Sequence, residues 1–255
     1  YDVSAEAAVG LSPFIIITLV RIALAVSFMR VRLPKMLSAA PKNGYLMLLK
    51  NKSLMLGAFG IFIYVGAEVS IGSYLVNYFY DMKLTSLIKE SNMLSSISST
   101  LLGKSLSVVD DYGILGSFVT FYWSGAMIGR FIGSYLTNII KPARVLSFFA
   151  IGALALVFIS AQTTGLISMI SILAVGLFNS IMFPTIFSLS LEGLDDLKPQ
   201  ASGILCTMIV GGAIIPPMYG YLTDLYGFKW AFSLLIFCYL YIYFFGKVKF
   251  RKNIV

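Results

Sequence analysis

Seven runs of 16–27 mostly apolar residues alternate along the chain with shorter polar connections. A helix needs about 20 predominantly apolar residues to cross the hydrocarbon core of a bilayer. Five of the runs reach or approach that length, and the fourth and seventh are short. The predicted spans are residues 11–29, 54–80, 112–136, 145–161, 166–191, 202–223 and 230–245. The pattern therefore predicts an all-α, polytopic membrane protein with seven transmembrane helices.

Composition narrows the classes of protein further. Hydrophobic residues make up 58% of the 255 residues and charged residues 12%, against about 45–50% and about 25% in soluble domains. The chain has no histidine, which excludes histidine-based acid–base catalysis, Ser-His-Asp hydrolysis and His-ligated metals. Its two cysteines, Cys206 and Cys238, both lie in apolar runs, so neither a disulfide framework nor a zinc site is expected. We predict a membrane protein that is not an enzyme and holds no cofactor or metal.

The basic residues indicate how the chain is oriented in its membrane. The net charge is +8, but nucleic-acid binding would need the basic residues clustered on one water-exposed face. Here they lie between the apolar runs, so the predicted partner is the lipid bilayer and not nucleic acid. Thirteen Lys and Arg fall on one side of the seven spans and four on the other. Because cytoplasmic loops carry the excess, we expect the amino terminus outside and the carboxyl terminus in the cytoplasm of a bacterial plasma membrane.

The spacing of the spans divides the chain into four segments. Residues 1–31 hold a single helix, residues 32–53 a basic linker, residues 54–246 six closely spaced helices, and residues 247–255 a basic cytoplasmic tail. The first residue is Tyr1 and no basic region precedes the first span, so the chain reads as a fragment. The long outer connection, 81–111, is expected either to form a short surface helix or to stay mobile.

One acidic residue, Glu68, lies near the middle of the second span. Ionisable groups at this depth are costly and therefore mark candidate functional sites. Gly66 and Gly72 beside it favour either close helix packing or a local break. Tyr64 and Asn77 complete the polar residues that we assign to substrate binding on this span. Glu68 and Asn77 are nine residues apart and face opposite ways on an ideal helix, so Glu68 is favoured for the cavity.

The fifth span carries a matching polar position, Asn179, again near the bilayer midplane. Asn179 and Phe183 are four residues apart, which predicts a shared helix face. Pro184 removes a backbone donor and is expected to bend the helix. An amide and an aromatic ring on one face suit a sugar, although a kinked packing helix explains the same residues. Interrupted helices at corresponding positions of two repeats indicate a transporter site.

A basic residue, Arg130, lies in the third span, about two turns from its cytoplasmic end. The connection after the fifth span carries Glu192, Asp195 and Asp196, the only acid-rich connection on the predicted inner side. An ion pair between Arg130 and one of these acids would tie two helices together, and breaking it would serve as a gate. The alternative is that Arg130 anchors to lipid phosphate.

Four segments give the chain a family resemblance: residues 64–73 (YVGAEVSIGS), 125–133, 176–188 and 209–216. In these segments the chain resembles the carboxyl-terminal half of a major facilitator superfamily transporter. More narrowly, from about residue 54 to 245, it is similar to the fucose permease and glucose/galactose transporter family of sugar symporters. Glu68 resembles the glucose/galactose branch more than the fucose branch.

The resemblance implies twelve spans in an intact protein. Residues 1–31 would then be the last helix of an otherwise missing amino-terminal half, and residues 32–53 the linker between the two domains. It also implies alternating access, with a monosaccharide of the fucose, glucose or galactose type as substrate and a proton or sodium ion as coupling cation. Phe183 stands where the fucose branch has a tyrosine, so a hydroxyl contact with the sugar is not expected there.

Two other classes of membrane protein fit seven spans less well. A seven-helix receptor is expected to have evenly sized loops and often an extracellular disulfide, and a retinal protein needs a lysine inside its last span. None of these features appears in the sequence. A further alternative is a six-helix module that assembles with a partner but does not itself transport a substrate.

Overall fold

The computed structural model describes residues 3–30 and 44–252 and shows a helical protein. The chain divides into two compact units, Tyr1–Ala39 and Ala40–Val255. In the first unit, helix α1 (Val3–Arg30) covers the first predicted span and ends in a basic residue. Most of the predicted linker, 32–43, and the end of the predicted tail lie outside the described residues.

The second unit contains twelve α-helices among its described residues. They are α2 (Gly44–Lys50), α3 (Lys52–Asp81), α4 (Leu84–Glu90), α5 (Asn92–Leu102), α6 (Asp111–Ser117), α7 (Val119–Ile139), α8 (Pro142–Gln162), α9 (Gly165–Asn179), α10 (Met182–Leu191), α11 (Lys198–Thr207), α12 (Gly211–Tyr226) and α13 (Phe228–Lys252). Helix α13 extends through most of the segment predicted as a tail.

Five helical segments within the described residues are long and apolar enough to cross a membrane. They are Lys52–Asp81, Pro142–Gln162, Gly165–Leu191, Asp195–Tyr226 and Phe228–Arg251. The third of these consists of α9 and α10, and the fourth contains α11 and α12. This confirms an all-α, multi-pass membrane protein, and the count of seven spans stays a prediction. Helix α7 coincides with most of the third predicted span, but its Tyr, Trp, Ser and Gly residues make it less apolar.

The long connection at residues 81–111, predicted to lie on the outer side, forms helices instead of an open loop. Ser91 caps α5 by accepting a hydrogen bond from the Leu94 amide, 3.4 Å away. The Ser98 and Ser117 hydroxyls lie 3.0 Å apart and join α5 to α6. Lys89 on α4 pairs with Asp111 on α6 at 3.1 Å. The connection is therefore a small helical layer next to the carboxyl-terminal end of α3.

Small residues allow the membrane helices to approach closely. A side chain at Gly129 or Gly176 would overlap the backbone of the partner helix where α7 packs on α9, and one at Gly211 would overlap the backbone of α3. Such contacts are typical of helix interfaces in lipid. Other large apolar side chains are exposed at the surface of the bundle, such as Phe131, which is 74% exposed. Small residues thus occupy the closest helix contacts, while large apolar side chains are found both in the core, as with Phe79 and Phe149, and on the exposed surface of the bundle.

Candidate functional site

A cavity of about 840 Å³ lies between α3, α7 and the junction of α9 with α10. It is lined by Tyr64, Glu68, Arg130, Ser134, Thr137, Pro142, Ser180, Ile181, Phe183, Pro184, Thr185 and Ser188. Its volume is within the range of small-molecule sites. It combines one acidic residue, one basic residue, six hydroxyl groups and two aromatic rings. It extends to the end of α7 that the charge pattern predicts as cytoplasmic.

On α3, Glu68 and Tyr64 reach the cavity together. They are four residues apart and therefore share a helix face. The Tyr64 hydroxyl lies 2.7 Å from Glu68 Oε1 and 3.0 Å from the backbone carbonyl oxygen of Asn179. Helix α3 is continuous through this region, so the glycines do not break it. Instead, a side chain at Gly66 would overlap Ile215 of α12, which makes Gly66 a packing residue.

The fifth span is interrupted at this depth, as Pro184 predicts. Helix α9 ends at Asn179 and α10 begins at Met182, with a turn at residues 180–181. Proline has no amide proton, so Pro184 leaves the Ser180 carbonyl without its helical donor. The cavity is lined on this side by the two residues of the turn, Ser180 and Ile181, and by the first turns of α10.

The structure places Asn179 differently from the prediction. Its side chain is fully buried and does not line the cavity. Its Nδ2 donates to the Tyr122 hydroxyl at 2.8 Å, and its Oδ1 accepts from the Tyr239 hydroxyl at 2.8 Å. The side chain thus joins α9 to α7 and α13, which is the packing alternative. Because the interruption follows Asn179, the four-residue spacing to Phe183 does not put both residues on one face.

Phe183 does line the cavity. Its ring centroid lies 6.5 Å from that of Tyr64 at an angle of 51°. On its other side it stacks on Phe187, at 6.0 Å and 25°. These two neighbours hold the ring at the wall of the cavity, near Glu68. The ring is therefore an apolar platform beside a polar surface.

Asn77 lies in a different cavity, which corrects its assignment to the same site as Glu68. This second cavity, of about 690 Å³, is at the carboxyl-terminal end of α3 and is lined also by Tyr80, Asp81, Asp111 and Tyr112, among others. The physical reason is the continuous helix, because nine residues put Glu68 and Asn77 on opposite faces.

Arg130 is exposed on the wall of the first cavity, and it forms no ion pair with the predicted gate acids among the described residues. Glu192, Asp195 and Asp196 are exposed beyond the end of α10. At the same end of α10, the buried Lys249 of α13 donates to the Leu189 carbonyl and so joins the two helices. The gate formed by Arg130 with one of these acids stays a prediction.

The sequence reasoning missed the hydroxyl groups of the cavity. Ser134 and Thr137 follow Arg130 by four and seven residues and therefore share its helix face, a spacing that would have found them. Thr185 and Ser188 follow the interruption on α10. Within residues 3–30 and 44–252, no three His, Cys, Asp or Glu side chains lie together as a metal site requires.

Sequence comparisons identify relatives among sugar transporters. The glucose/galactose transporter of Brucella abortus biovar 1 (strain 9-941) is 43% identical over 251 residues, which are 96% of this chain and 55% of the relative. The putative glucose/galactose transporter of Helicobacter pylori (strain J99) is 36% identical and covers 94% of this chain and 54% of the relative. The L-fucose-proton symporter of Escherichia coli (strain K12) is 31% identical over 65% of this chain. No family model matches the chain.

A solved structure shows the same fold. The crystal structure of the major facilitator superfamily transporter FucP in the outward conformation superposes with a TM-score of 0.74 at 26% identity, covering 93% of this chain and 54% of that one. The chain thus spans about half the length of the relatives that it matches. These relatives are transporters, which confirms the prediction that the chain is not an enzyme. Sequence and fold together place the chain in the major facilitator superfamily, in the branch of the glucose/galactose and L-fucose transporters.

Proposed function

We propose that the chain is the carboxyl-terminal half of a secondary active monosaccharide transporter, driven by a coupling cation and working by alternating access. The substrate is a sugar of the fucose, glucose or galactose class, as the names of the relatives suggest. An amino-terminal half supplies the opposite wall of the site. We favour the proton as the coupling ion, because one relative is named an L-fucose-proton symporter. Sodium is the alternative.

The observation that carries this proposal is the first cavity, where Glu68, Phe183 and several hydroxyl groups meet at the interrupted fifth span. A sugar presents hydroxyls that need hydrogen bonds and a C–H face that packs on aromatic rings. Ser134, Thr185 and Ser188 offer the hydroxyl partners, and Phe183 offers the ring. Glu68 accepts hydrogen bonds from the sugar and exchanges the coupling proton.

Replacing Glu68 with Gln tests the site directly. The transporter, with this chain joined to an amino-terminal half like that of its relatives, is reconstituted in liposomes. Accumulation of labelled glucose, galactose and fucose is measured with and without a pH or sodium gradient. We expect Glu68→Gln to lower gradient-driven accumulation at least about tenfold, because the amide cannot exchange the coupling proton. Phe183→Ala should weaken sugar affinity about twofold to tenfold, since an aromatic packing contact is worth about 0.5–1.5 kcal/mol.

The matched control is Glu90→Gln, which neutralises an exposed acid on α4, away from the cavity. This variant should accumulate sugar as the unmodified transporter does. Unchanged accumulation and unchanged ion dependence in Glu68→Gln would overturn the role of Glu68. Transport of none of the three sugars by the unmodified protein would overturn the proposed function.

A further inference from the structure

The Tyr64 hydroxyl lies between two hydrogen-bond acceptors. On one side, 2.7 Å away, is the carboxyl of Glu68, and on the other, 3.0 Å away, is the backbone carbonyl of Asn179. Tyr64 is 3% exposed, so its side chain is largely shielded from bulk solvent. A phenol carries one proton, and it donates one full hydrogen bond at a time.

The protonation state of Glu68 therefore decides where Tyr64 donates. When Glu68 is ionised, its carboxylate accepts the hydrogen bond from the Tyr64 hydroxyl, and the Asn179 carbonyl shares or loses its donor. When Glu68 takes up a proton from the cavity, its O–H donates to the Tyr64 oxygen, and Tyr64 donates to the Asn179 carbonyl. Tyr64 keeps its own proton in both states, so only the direction of donation changes.

The Asn179 carbonyl is the place where such a change has an effect. Asn179 is the last residue of α9, and the last four carbonyls of a helix have no donor within it. The bonds from its amide to Tyr122 and Tyr239 fix the side chain in place. Tyr64 is thus the side-chain donor at the end of α9, directly before the turn that leads to Phe183.

The ionisable groups around Glu68 come from three helices. Tyr64 is on its own helix, Arg130 and Tyr122 are on α7, and Tyr239 is on α13. The part of α10 that lines the cavity contributes no ionisable group. Of these groups, Tyr64 is the one that contacts both Glu68 and the backbone of the fifth span.

We propose that Tyr64 is a positioning residue that transmits the protonation state of Glu68 to the interruption of the fifth span. This inference rests on the proposed function, in which Glu68 exchanges the coupling proton. When Glu68 is protonated, the Tyr64 hydroxyl donates fully to the Asn179 carbonyl at the end of α9. This hydrogen bond holds the turn and the start of α10 in place. The position of the cavity wall that carries Phe183 and Thr185 then depends on whether Glu68 is protonated.

The hydrogen bond is observed by infrared spectroscopy of the chain in lipid nanodiscs, with asparagine labelled with ¹³C at its backbone carbonyl. A hydrogen bond lowers the carbonyl stretching frequency. We expect one labelled band to shift with pH in the unmodified chain and to be independent of pH in Tyr64→Phe and in Glu68→Gln. Tyr74→Phe is the matched control, because the Tyr74 hydroxyl on the same helix forms none of the hydrogen bonds found in the described part of the chain. A band that does not shift in the unmodified chain, or that still shifts in Tyr64→Phe, overturns the inference.

A transport experiment separates this inference from the proposed function. In the reconstituted transporter, sugar exchange without a gradient reports binding and alternation, and accumulation driven by a pH gradient reports coupling. Because Tyr64 also lines the sugar cavity, the readout is the ratio of accumulation to exchange. Tyr64→Phe should lower this ratio about tenfold, which corresponds to the loss of about one hydrogen bond to a charged group. A ratio that is unchanged in Tyr64→Phe contradicts the relay while leaving the transporter intact. A transporter that exchanges no sugar even without substitutions contradicts the proposed function, whatever the infrared result.

Discussion

Asn179 shows how a polar side chain is accommodated at the centre of the bundle. Its amide donates to Tyr122 and accepts from Tyr239, so it joins α9 to helices that lie 57 and 60 residues away in sequence. Unpaired polar groups are costly in a bilayer, which explains why all three side chains are buried together. The cluster fixes the end of α9 beside the cavity without contacting the cavity itself.

Replacing Asn179 with Leu should destabilise the protein. The change keeps the volume but leaves two buried hydroxyls without a partner. Interhelical hydrogen bonds in membrane proteins average about 0.6 kcal/mol and reach about 1.7 kcal/mol, so we expect a loss of about 1–3 kcal/mol. Unfolding in detergent–denaturant mixtures measures it. Asn77→Leu, at an exposed position, should change stability by less than about 0.5 kcal/mol. Equal losses in both variants would contradict this role of Asn179.

The sequence was enough to predict which residues share a face of one continuous helix. It was not enough to predict which side chains bond to each other between helices. The pairing of Tyr64 with Glu68 follows from their four-residue spacing. The separation of Asn77 from Glu68 follows from the same helical rotation. The bonds of Asn179 to Tyr122 and Tyr239 depend on how α7 and α13 pack, which one sequence does not reveal. The four-residue spacing of Asn179 and Phe183 wrongly predicted that both side chains share one helix face, because the helix is interrupted between them.

Proline and glycine both disfavour a regular helix, but they have different effects in the fifth span and in α3. Pro184 interrupts the fifth span, because it removes a donor and the effect is local. Gly66 and Gly72 leave α3 continuous from Lys52 to Asp81. Glycine in a membrane helix serves either close packing or a break, and the neighbouring helix decides which. The sequence therefore predicted the proline interruption but left the role of the glycines open.

Pro184→Ala should convert α9 and α10 into a more continuous helix. The alanine amide gains the Ser180 carbonyl as its acceptor, which draws the turn at residues 180–181 into the helix. Hydrogen exchange of the amides at residues 182–185, followed by mass spectrometry, should become slower. Sugar affinity should fall about fivefold to tenfold, since the hydroxyl partners on α10 move out of place.

The control for this variant is Pro199→Ala, at the first turn of α11, where proline replaces no helical hydrogen bond. Both measurements should be unchanged there. Faster or unchanged exchange at residues 182–185 in Pro184→Ala would show that the proline does not cause the interruption.

At the scale of the whole molecule, the distribution of side chains matches a bilayer environment. Large apolar residues are exposed around the bundle, including Phe131, Phe148 and Trp230. Composition and run length were enough to predict this, because both depend only on the lipid surroundings. Which surface would meet the amino-terminal half of the proposed transporter was not predictable, since that contact would depend on the sequence of both halves.

The distribution of Lys and Arg predicts which end of each helix faces the cytoplasm, and two matched cysteine variants test it. Asn92 and Asn138 are both exposed, the first on α5 in the long connection and the second near the end of α7 beside Lys141. With Cys206 replaced by Ser and Cys238 buried, each Asn→Cys variant has one accessible thiol. A membrane-impermeant maleimide added to intact cells should label Asn92→Cys at once and Asn138→Cys only after permeabilisation. The opposite order would mean that the thirteen basic residues face outward, against the positive-inside rule, and that the cavity at the end of α7 opens to the exterior.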